Sequence, residues 1–390
     1  MNWNAVRDAF PVNRELIWLN SCGMSPAAEP VVAAMEGFLA EYSRRGILAE
    51  TENYATTGRA IKAALARLIH CEPEELALIH HTAEGMNVVS RGLTLKPEDE
   101  ILLLEDEYPS NVYPWRHWER RGIVLKTVPA GPSPEAFLES LRERITARTR
   151  VAALSAVHWC TGMPYPLEEI GALCRERDIR FVLDGTQGVG MRPVDVAAAR
   201  VDFMAFSAWK WLMGPPGLGA LYVRAERLAE LEPIFVGTRS VVRDQQYFPY
   251  RNELKPDAER FAYSTPSLAD WVWFRASLEF LEEIGFETVR ERIRELAAQL
   301  TRRIRKAGFR VMSDHFPDHP TGIVVCERPE ADAGALVADL REAGVIAAER
   351  QGRIRFSPHV FNSPQQMDLA ARTLSDVYLK RMYLRAMERR

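Results

Sequence analysis

Asp184 and Lys210 are the residues of this sequence whose types and surroundings point most directly to chemistry. Asp184 ends the apolar run in Phe181-Val-Leu-Asp184-Gly-Thr-Gln187-Gly, and Lys210 follows the next run in Phe203-Met-Ala-Phe-Ser207-Ala-Trp209-Lys210-Trp-Leu-Met-Gly214-Pro-Pro-Gly217. Both runs read as strands, so both polar groups project from the same edge of a sheet into one crevice. Pyridoxal phosphate requires that pair. The amine forms a Schiff base with the cofactor's aldehyde, and the carboxylate keeps the ring nitrogen protonated so that the ring withdraws electrons. Taken singly, a surface Asp and an ordinary Lys would be the better explanation, because both residue types are common. The flanking Gly, Ser and aromatic residues favour the cofactor. A phosphate also needs donors, and His81-Thr82-Ala83-Glu84-Gly85-Met-Asn87 offers them at a strand-to-helix junction, where unpaired N–H groups and the helix dipole attract an anion. Capping of that helix explains Thr82 equally well.

These residues need a scaffold that brings strand ends together. From Leu76 to Val223, short apolar β-rich runs alternate with helical patterns, which predicts a mostly parallel sheet covered by helices. The runs are Leu76 to Ile79, Ile101 to Leu104, Ile123 to Val128, Val151 to Val157, Phe181 to Leu183, Phe203 to Phe206 and Leu218 to Val223. The intervening helices are expected at Glu84 to Gly92, Asn111 to Arg121, Pro134 to Ile145 and Leu167 to Arg177. A connector rich in Tyr, Phe, Arg and Pro follows from Phe235 to Pro266, then two long helices at Trp271 to Ile284 and Thr288 to Ala307. The rest predicts a compact α+β unit, with strands at Phe309 to Met312, Gly322 to Cys326, Ile346 to Ala348 and Ile354 to Ser357 and helices at Asp332 to Ala343 and Pro364 to Tyr378. The reading is α/β: an N-terminal segment over 1–20, a large domain with a seven-stranded sheet over 21–266, and a smaller α+β domain over 267–390.

Composition narrows the function classes. With 390 residues, 47% hydrophobic and 26% charged, the chain is an ordinary globular protein large enough for more than one core. A formal net charge of -3 gives no global basic excess for nucleic acid or a membrane surface. No apolar run reaches membrane-spanning length, and Met1-Asn2-Trp3-Asn4 does not open a secretory signal, which leaves a cytoplasmic address by default. The 5 cysteines (Cys22, Cys71, Cys160, Cys174 and Cys326) are scattered without a CxxC, and His80-His81 lacks the i, i+4 spacing of a helical metal pair. Disulfides and a metal are therefore not expected.

The segment around Asp184 and Lys210 resembles the class V aminotransferases, a branch of the fold-type-I pyridoxal phosphate enzymes that also holds cysteine desulfurases, selenocysteine lyases, kynureninases and isopenicillin N epimerase. The resemblance runs from Trp18-Leu-Asn-Ser to Ile354-Arg-Phe-Ser-Pro-His-Val-Phe-Asn-Ser. It implies the fold-type-I transferase fold, with Lys210 as the Schiff-base lysine, Asp184 as partner of the ring nitrogen and Gln187 as donor to the phenolic oxygen. Thr82, Ala83 and Ser207 match the phosphate site, although Ala83 replaces a second Thr and Trp209 replaces a His or Tyr. Tyr108, in Glu107-Tyr108-Pro109-Ser110-Asn111, matches the ring that stacks on the cofactor, a position held by His in desulfurases; stacking is favoured over a merely packed strand-end aromatic because aromatic faces are attracted to an electron-poor ring. Arg355 matches the arginine that holds the substrate carboxylate, with Arg353 as its competitor. Thr265 matches a residue that reaches the neighbouring subunit's phosphate, which implies a homodimer with composite sites.

The departures bear on the reaction. Ala347 to Arg353 contains no Cys where a desulfurase carries its nucleophile, and the nearest upstream thiol, Cys326, reads as buried and structural. Ala156-Val-His158-Trp159-Cys160-Thr161-Gly162 departs from the desulfurase pattern and leaves His158 or Trp159 beside the cofactor. Cys22 reads as a packing residue at the substrate mouth. Arg239 and Arg251 read as rim charges, with contact to a second acidic substrate group as the alternative. The resemblance thus implies an enzyme that acts on an α-amino acid through an external aldimine. Aminotransfer stands first because it asks least of the sequence; carbon–sulfur or other β-elimination and epimerisation follow, and a non-catalytic binding module on the same fold is the remaining alternative.

Overall fold

The structure is a computed structural model that describes residues 1–46, 48–317 and 320–388. Its main sheet has seven strands: Leu76–Ile79 (β1), Glu100–Leu104 (β2), Val124–Val128 (β3), Thr149–Ser155 (β4), Arg180–Asp184 (β5), Phe203–Ser207 (β6) and Gly219–Val223 (β7). Their order is β1-β7-β6-β5-β4-β2-β3. β7 runs antiparallel to both neighbours and every other pair is parallel. β2, β6 and β7 are buried at every residue, as near-continuous apolar runs require when helices cover both faces. The edge strand β3 instead exposes Val124 and Thr127 and carries Lys126, which blunts the edge.

Two helices that the sequence pattern did not mark, Glu29–Arg45 (α1) and Leu48–Ile69 (α2), precede the sheet. Next come Thr82–Gly92 (α3), Pro134–Arg144 (α4) and Leu167–Glu176 (α5), close to their expected bounds. The single helix expected over Asn111 to Arg121 is instead broken into a 3-10 turn at Pro109–Asn111, a four-residue helix at Tyr113–Arg116 and a second 3-10 turn at Glu119–Arg121. Pro114 has no N–H to continue a helix from upstream, and Gly122 (φ 81°) ends it.

The connector is irregular, as expected. After it, Leu268–Ile284 (α6) packs on α1 and α2, with the Trp271 ring so close to Gly58 that a Cβ there would lie 2.5 Å from it. Phe286–Lys306 (α7), Ala333–Glu342 (α8) and Pro364–Glu388 (α9) enclose a second core against an antiparallel sheet of Arg310–Val311 (β8), Val324–Glu327 (β9), Ala348–Arg350 (β10) and Arg353–Phe356 (β11), in the order β10-β11-β9-β8. The strand expected at Ile346 to Ala348 divides: Val345–Ile346 pairs in parallel with Ile17–Trp18, and Ala348 opens β10.

One glycine fixes the site's geometry. A Cβ on Gly85 would lie 2.5 Å from the Ala205 Cβ and 2.9 Å from Ile79 Cδ1, so α3 rests directly on β6. Gly85→Val should lower stability by about 1 to 3 kcal/mol through overpacking and speed cofactor loss by lifting α3. Denaturant unfolding and cofactor dissociation measured together check this; an unchanged dissociation rate would separate the packing from the site.

Candidate active site

The carboxyl ends of β4, β5 and β6 carry Ser155, Asp184 and Ser207, and β2 leads into Glu107 and Tyr108. Ser155 stands in register with Asp184. These ends open on a cavity of about 370 Å³, closed from the other side by β10 and β11. Lys210, Asp184, Tyr108, Thr82, Ala83, Gln187, Ser207, Trp209 and Arg355 all line it. The expected constellation is therefore brought together, apart from Thr265. That residue is exposed and lies in separate depressions beside Arg239 and Trp271.

At the inner end, three hydroxyls from three elements converge. Thr82 Oγ1 lies 2.7 Å from Ser207 Oγ and 2.7 Å from Thr186 Oγ1, at the N-terminus of an eleven-residue helix. His81 caps that helix by accepting the Glu84 N–H at its Nδ1 (3.0 Å). Such hydroxyls and first-turn N–H groups form a donor set suited to a phosphate dianion, and the Glu84 carboxylate of the same turn is engaged by the His80 N–H (2.7 Å). The sequence reading had missed Thr186, although it stands between Asp184 and Gln187 in the same motif.

The Lys210 amine lies 5.4 Å from the centroid of the Tyr108 ring. Burial lowers its pKa to about 8, against the opposing pull of Asp184. Burial raises the Asp184 carboxyl, while hydrogen bonds from Thr186 and the Lys210 charge hold it down; the Thr186 N–H donates to its Oδ1 (2.9 Å). The Gln187 side chain is fixed at both ends, donating to the Cys22 carbonyl (2.9 Å) and accepting from the Trp211 indole (2.9 Å), with one amide hydrogen to spare.

At the outer end stands Arg355, 2% exposed. It donates through Nη1 to the Trp159 carbonyl, while its buried Nε has no partner. A buried guanidinium N–H left unpaired is expensive, and the Nε/Nη2 edge has the shape to take a carboxylate bidentately. Arg353 is not its equivalent, because Arg353 is paired with Glu327 at 2.8 Å. Arg239 is paired with Glu259, and Arg251 donates to Gln246; neither lines this cavity.

The remaining sequence candidates divide. His158 is fully buried: its Nδ1 accepts from the Cys160 and Thr161 N–H groups, so Nε2 carries the proton to Asp106 Oδ1 (2.8 Å). That is a brace under the loop. Trp159 lines the cavity and meets Tyr108 edge-to-face at 5.5 Å. Cys22 also lines it, with its N–H bound to Ser357 Oγ (2.9 Å), while Cys326 is buried in β9.

Glu107, quoted in the sequence motif but given no role there, is the main residue that was overlooked. Its buried carboxyl accepts from Ser155 Oγ (2.6 Å), the Tyr108 N–H (2.7 Å) and Asn111 Nδ2 (3.2 Å), so it ties Tyr108 to β4. Burial first, and then the nearby Asp184, push it up to about 8. The native state thus keeps a proton that the unfolded chain releases above about pH 4.5, and this group's contribution to stability falls as pH rises from about 4.5 to about 8. Glu107→Gln should flatten that part of the stability-against-pH curve, as followed by urea unfolding at several pH values; an unchanged slope would refute it.

The fold and the family define a fold-type-I pyridoxal phosphate enzyme, and the cavity brings together hydroxyls, an amine and a buried carboxyl of the kinds that cofactor calls for. Residues 17–359 match the family model described as aminotransferase class-V, and the chain belongs to that family. Its relatives include a probable cysteine desulfurase of Pyrococcus abyssi (25% identical, covering 93% of this chain and 94% of the relative) and the isopenicillin N epimerase of Streptomyces clavuligerus (28%, covering 96% and 98%). Among solved structures, the cystine C–S lyase C-DES in complex with cysteine persulfide has the same fold, with a TM-score of 0.86 at 23% identity and coverage of 94% and 99%. Among the described residues no group of three or more His, Cys, Asp and Glu side chains could hold a metal, and no helix is long and apolar enough to cross a membrane.

Proposed function

We propose that this enzyme is a β-elimination lyase that acts on an α-amino acid with a leaving group, such as a sulfur substituent, on its β carbon. The observation that carries the reading is that the unpaired edge of Arg355 and the amine of Lys210 face one cavity, so a carboxylate acceptor and a base are held together. When bound, pyridoxal phosphate supplies the electron sink that acidifies the Cα–H bond. Thr82, Thr186 and Ser207, with the Ala83 N–H and the Trp209 indole, would hold the phosphate. Asp184 would hold the proton at the ring nitrogen, and the spare Gln187 hydrogen would be donated to the phenolic oxygen. Tyr108 would cover the ring, and Lys210, whose pKa burial lowers to about 8, would take the Cα proton.

Two findings favour elimination. Curated relatives are named as cysteine desulfurases, which act on a sulfur-bearing amino acid. In this chain the β10–β11 hairpin turns in two residues, Gln351 and Gly352, both at positive φ, and bears no thiol to receive sulfur. The leaving group is then released to solvent. Aminotransfer is the second reading, favoured by relatives named as uncharacterised aminotransferases and by its need for Lys210 alone to move the proton. A panel of amino acids that includes S-substituted cysteines decides. Release of the 2-oxo acid, ammonia and the leaving group without stoichiometric amino transfer to the cofactor supports the lyase. Amino transfer without release overturns it, as does inversion at Cα without release, which would make the enzyme an epimerase.

The working unit is a homodimer in this reading. Tyr247, Phe248 and Tyr250 are 64%, 72% and 86% exposed, and Thr265 lines the same 730 Å³ depression as Tyr247, away from its own chain's cavity. An apolar surface of that kind is suited to an interface. Sedimentation of the cofactor-loaded enzyme as a monomer would remove the composite site.

A further inference from the structure

Two guanidinium groups, Arg355 and Arg350, line the Lys210 cavity. Arg350 ends β10, directly opposite Arg353 across the hairpin, while Arg355 lies two residues further along β11 opposite Ala348. Cross-strand partners share a face, and so do residues two apart on a strand, so all three arginines stand on one face of the small sheet. Like charges directly opposed on a sheet are unfavourable. Arg353 is relieved by Glu327. Among the described residues no carboxylate pairs with Arg350, whose Nη1 donates to the Glu349 carbonyl (2.6 Å). Arg355 offers one free edge, and a single carboxylate fills it in the reading above. The charge on Arg350 remains, half-buried and facing the same cavity.

We propose that Arg350 reads a second anionic group on the substrate, so that the preferred substrates are amino acids whose side chain or leaving group bears its own carboxylate. This rests on Arg355 holding the α-carboxylate. Arg239 and Arg251, the positions at which the sequence raised such a contact, lie outside the cavity, and Arg350 takes that part.

The test uses pairs of ligands that differ in charge but scarcely in shape: L-aspartate with L-asparagine and L-glutamate with L-glutamine. Each is titrated into the cofactor-loaded enzyme, and binding is read from the concentration dependence of the cofactor's absorbance change. The wild type should bind at least one acid about tenfold or more tighter than its amide. Arg350→Gln should bring that ratio close to one, and Arg350→Lys should keep part of it as a point charge. Arg355→Gln should weaken acids and amides alike. A wild-type ratio near one for both pairs, or a ratio that survives Arg350→Gln, overturns the proposal while leaving Arg355 in place. Wild-type binding of the amides by Arg355→Gln would overturn the α-carboxylate assignment and this proposal with it.

Discussion

Lys210→Ala protein is expected to fold, to take up pyridoxal phosphate weakly, and to lack the yellow absorbance of a lysine-bound cofactor, with activity lower by about a thousandfold or more. The reason lies in how the site divides its work. The hydroxyls of Thr82, Thr186 and Ser207 form one cluster, and Asp184, Gln187 and Tyr108 are each held by contacts that do not involve the amine. Removal of the amine therefore takes away the covalent bond and the base but leaves the cradle, and the cofactor should wash out on dilution. The variant also removes a half-buried cation whose charged form is disfavoured by desolvation, so its unfolding midpoint should not fall below that of the wild-type apoprotein, the bound cofactor's own stabilisation being absent from both. A pH series refines the test. Only the free amine can attack the cofactor's aldehyde, and the free fraction grows as pH rises through about 8. The rate of cofactor incorporation into wild-type apoprotein should rise through that range. Yellow Lys210→Ala protein with a reducible adduct on another lysine would overturn the assignment.

Much of this site was legible in the sequence because its groups sit where regular structure ends. Asp184 and Ser207 close strands whose apolar runs were unmistakable, and parallel strands place such ends side by side. Thr82 begins a helix, where unpaired N–H groups predict an anion whatever the family. The groups that were overlooked owe their roles to contacts between distant segments. Thr186 matters because it meets Thr82, 104 residues away, and Glu107 because Ser155, 48 residues on, donates to it. Neither residue lies in a periodic pattern that could announce those meetings. Arg350 was invisible for a different reason: the hairpin register puts Arg350, Arg353 and Arg355 on one face, and only the contact of Arg353 with the distant Glu327 separates it from the two that line the cavity. In the N-terminal region α1 and α2 were unmarked, although α6 packs on both and the contact of Trp271 with Gly58 fixes how closely.

Arg355 gives the prediction with opposite signs for stability and function. Its guanidinium is buried with Nε unpaired, so the resting protein carries a desolvated charge that only a ligand completes. Loss of its charge-assisted pair with a substrate carboxylate should weaken apparent binding by about 2 to 5 kcal/mol, without altering the spectrum of the lysine-bound cofactor. Replacement of a buried, incompletely paired charge by an apolar side chain of similar volume is often neutral or stabilising. One contact opposes this, because Arg355→Leu also strips the Trp159 carbonyl of its donor, at a cost of about 1 to 3 kcal/mol if that carbonyl stays dry. The two effects are of similar size, so Arg355→Leu should unfold within about 1 kcal/mol of wild type while its substrate affinity collapses. Urea unfolding and spectral titration on the same preparation test both halves. A loss of stability above about 3 kcal/mol with intact affinity would make Arg355 a structural brace for the Trp159 loop, and the cavity would then need another group to hold the carboxylate.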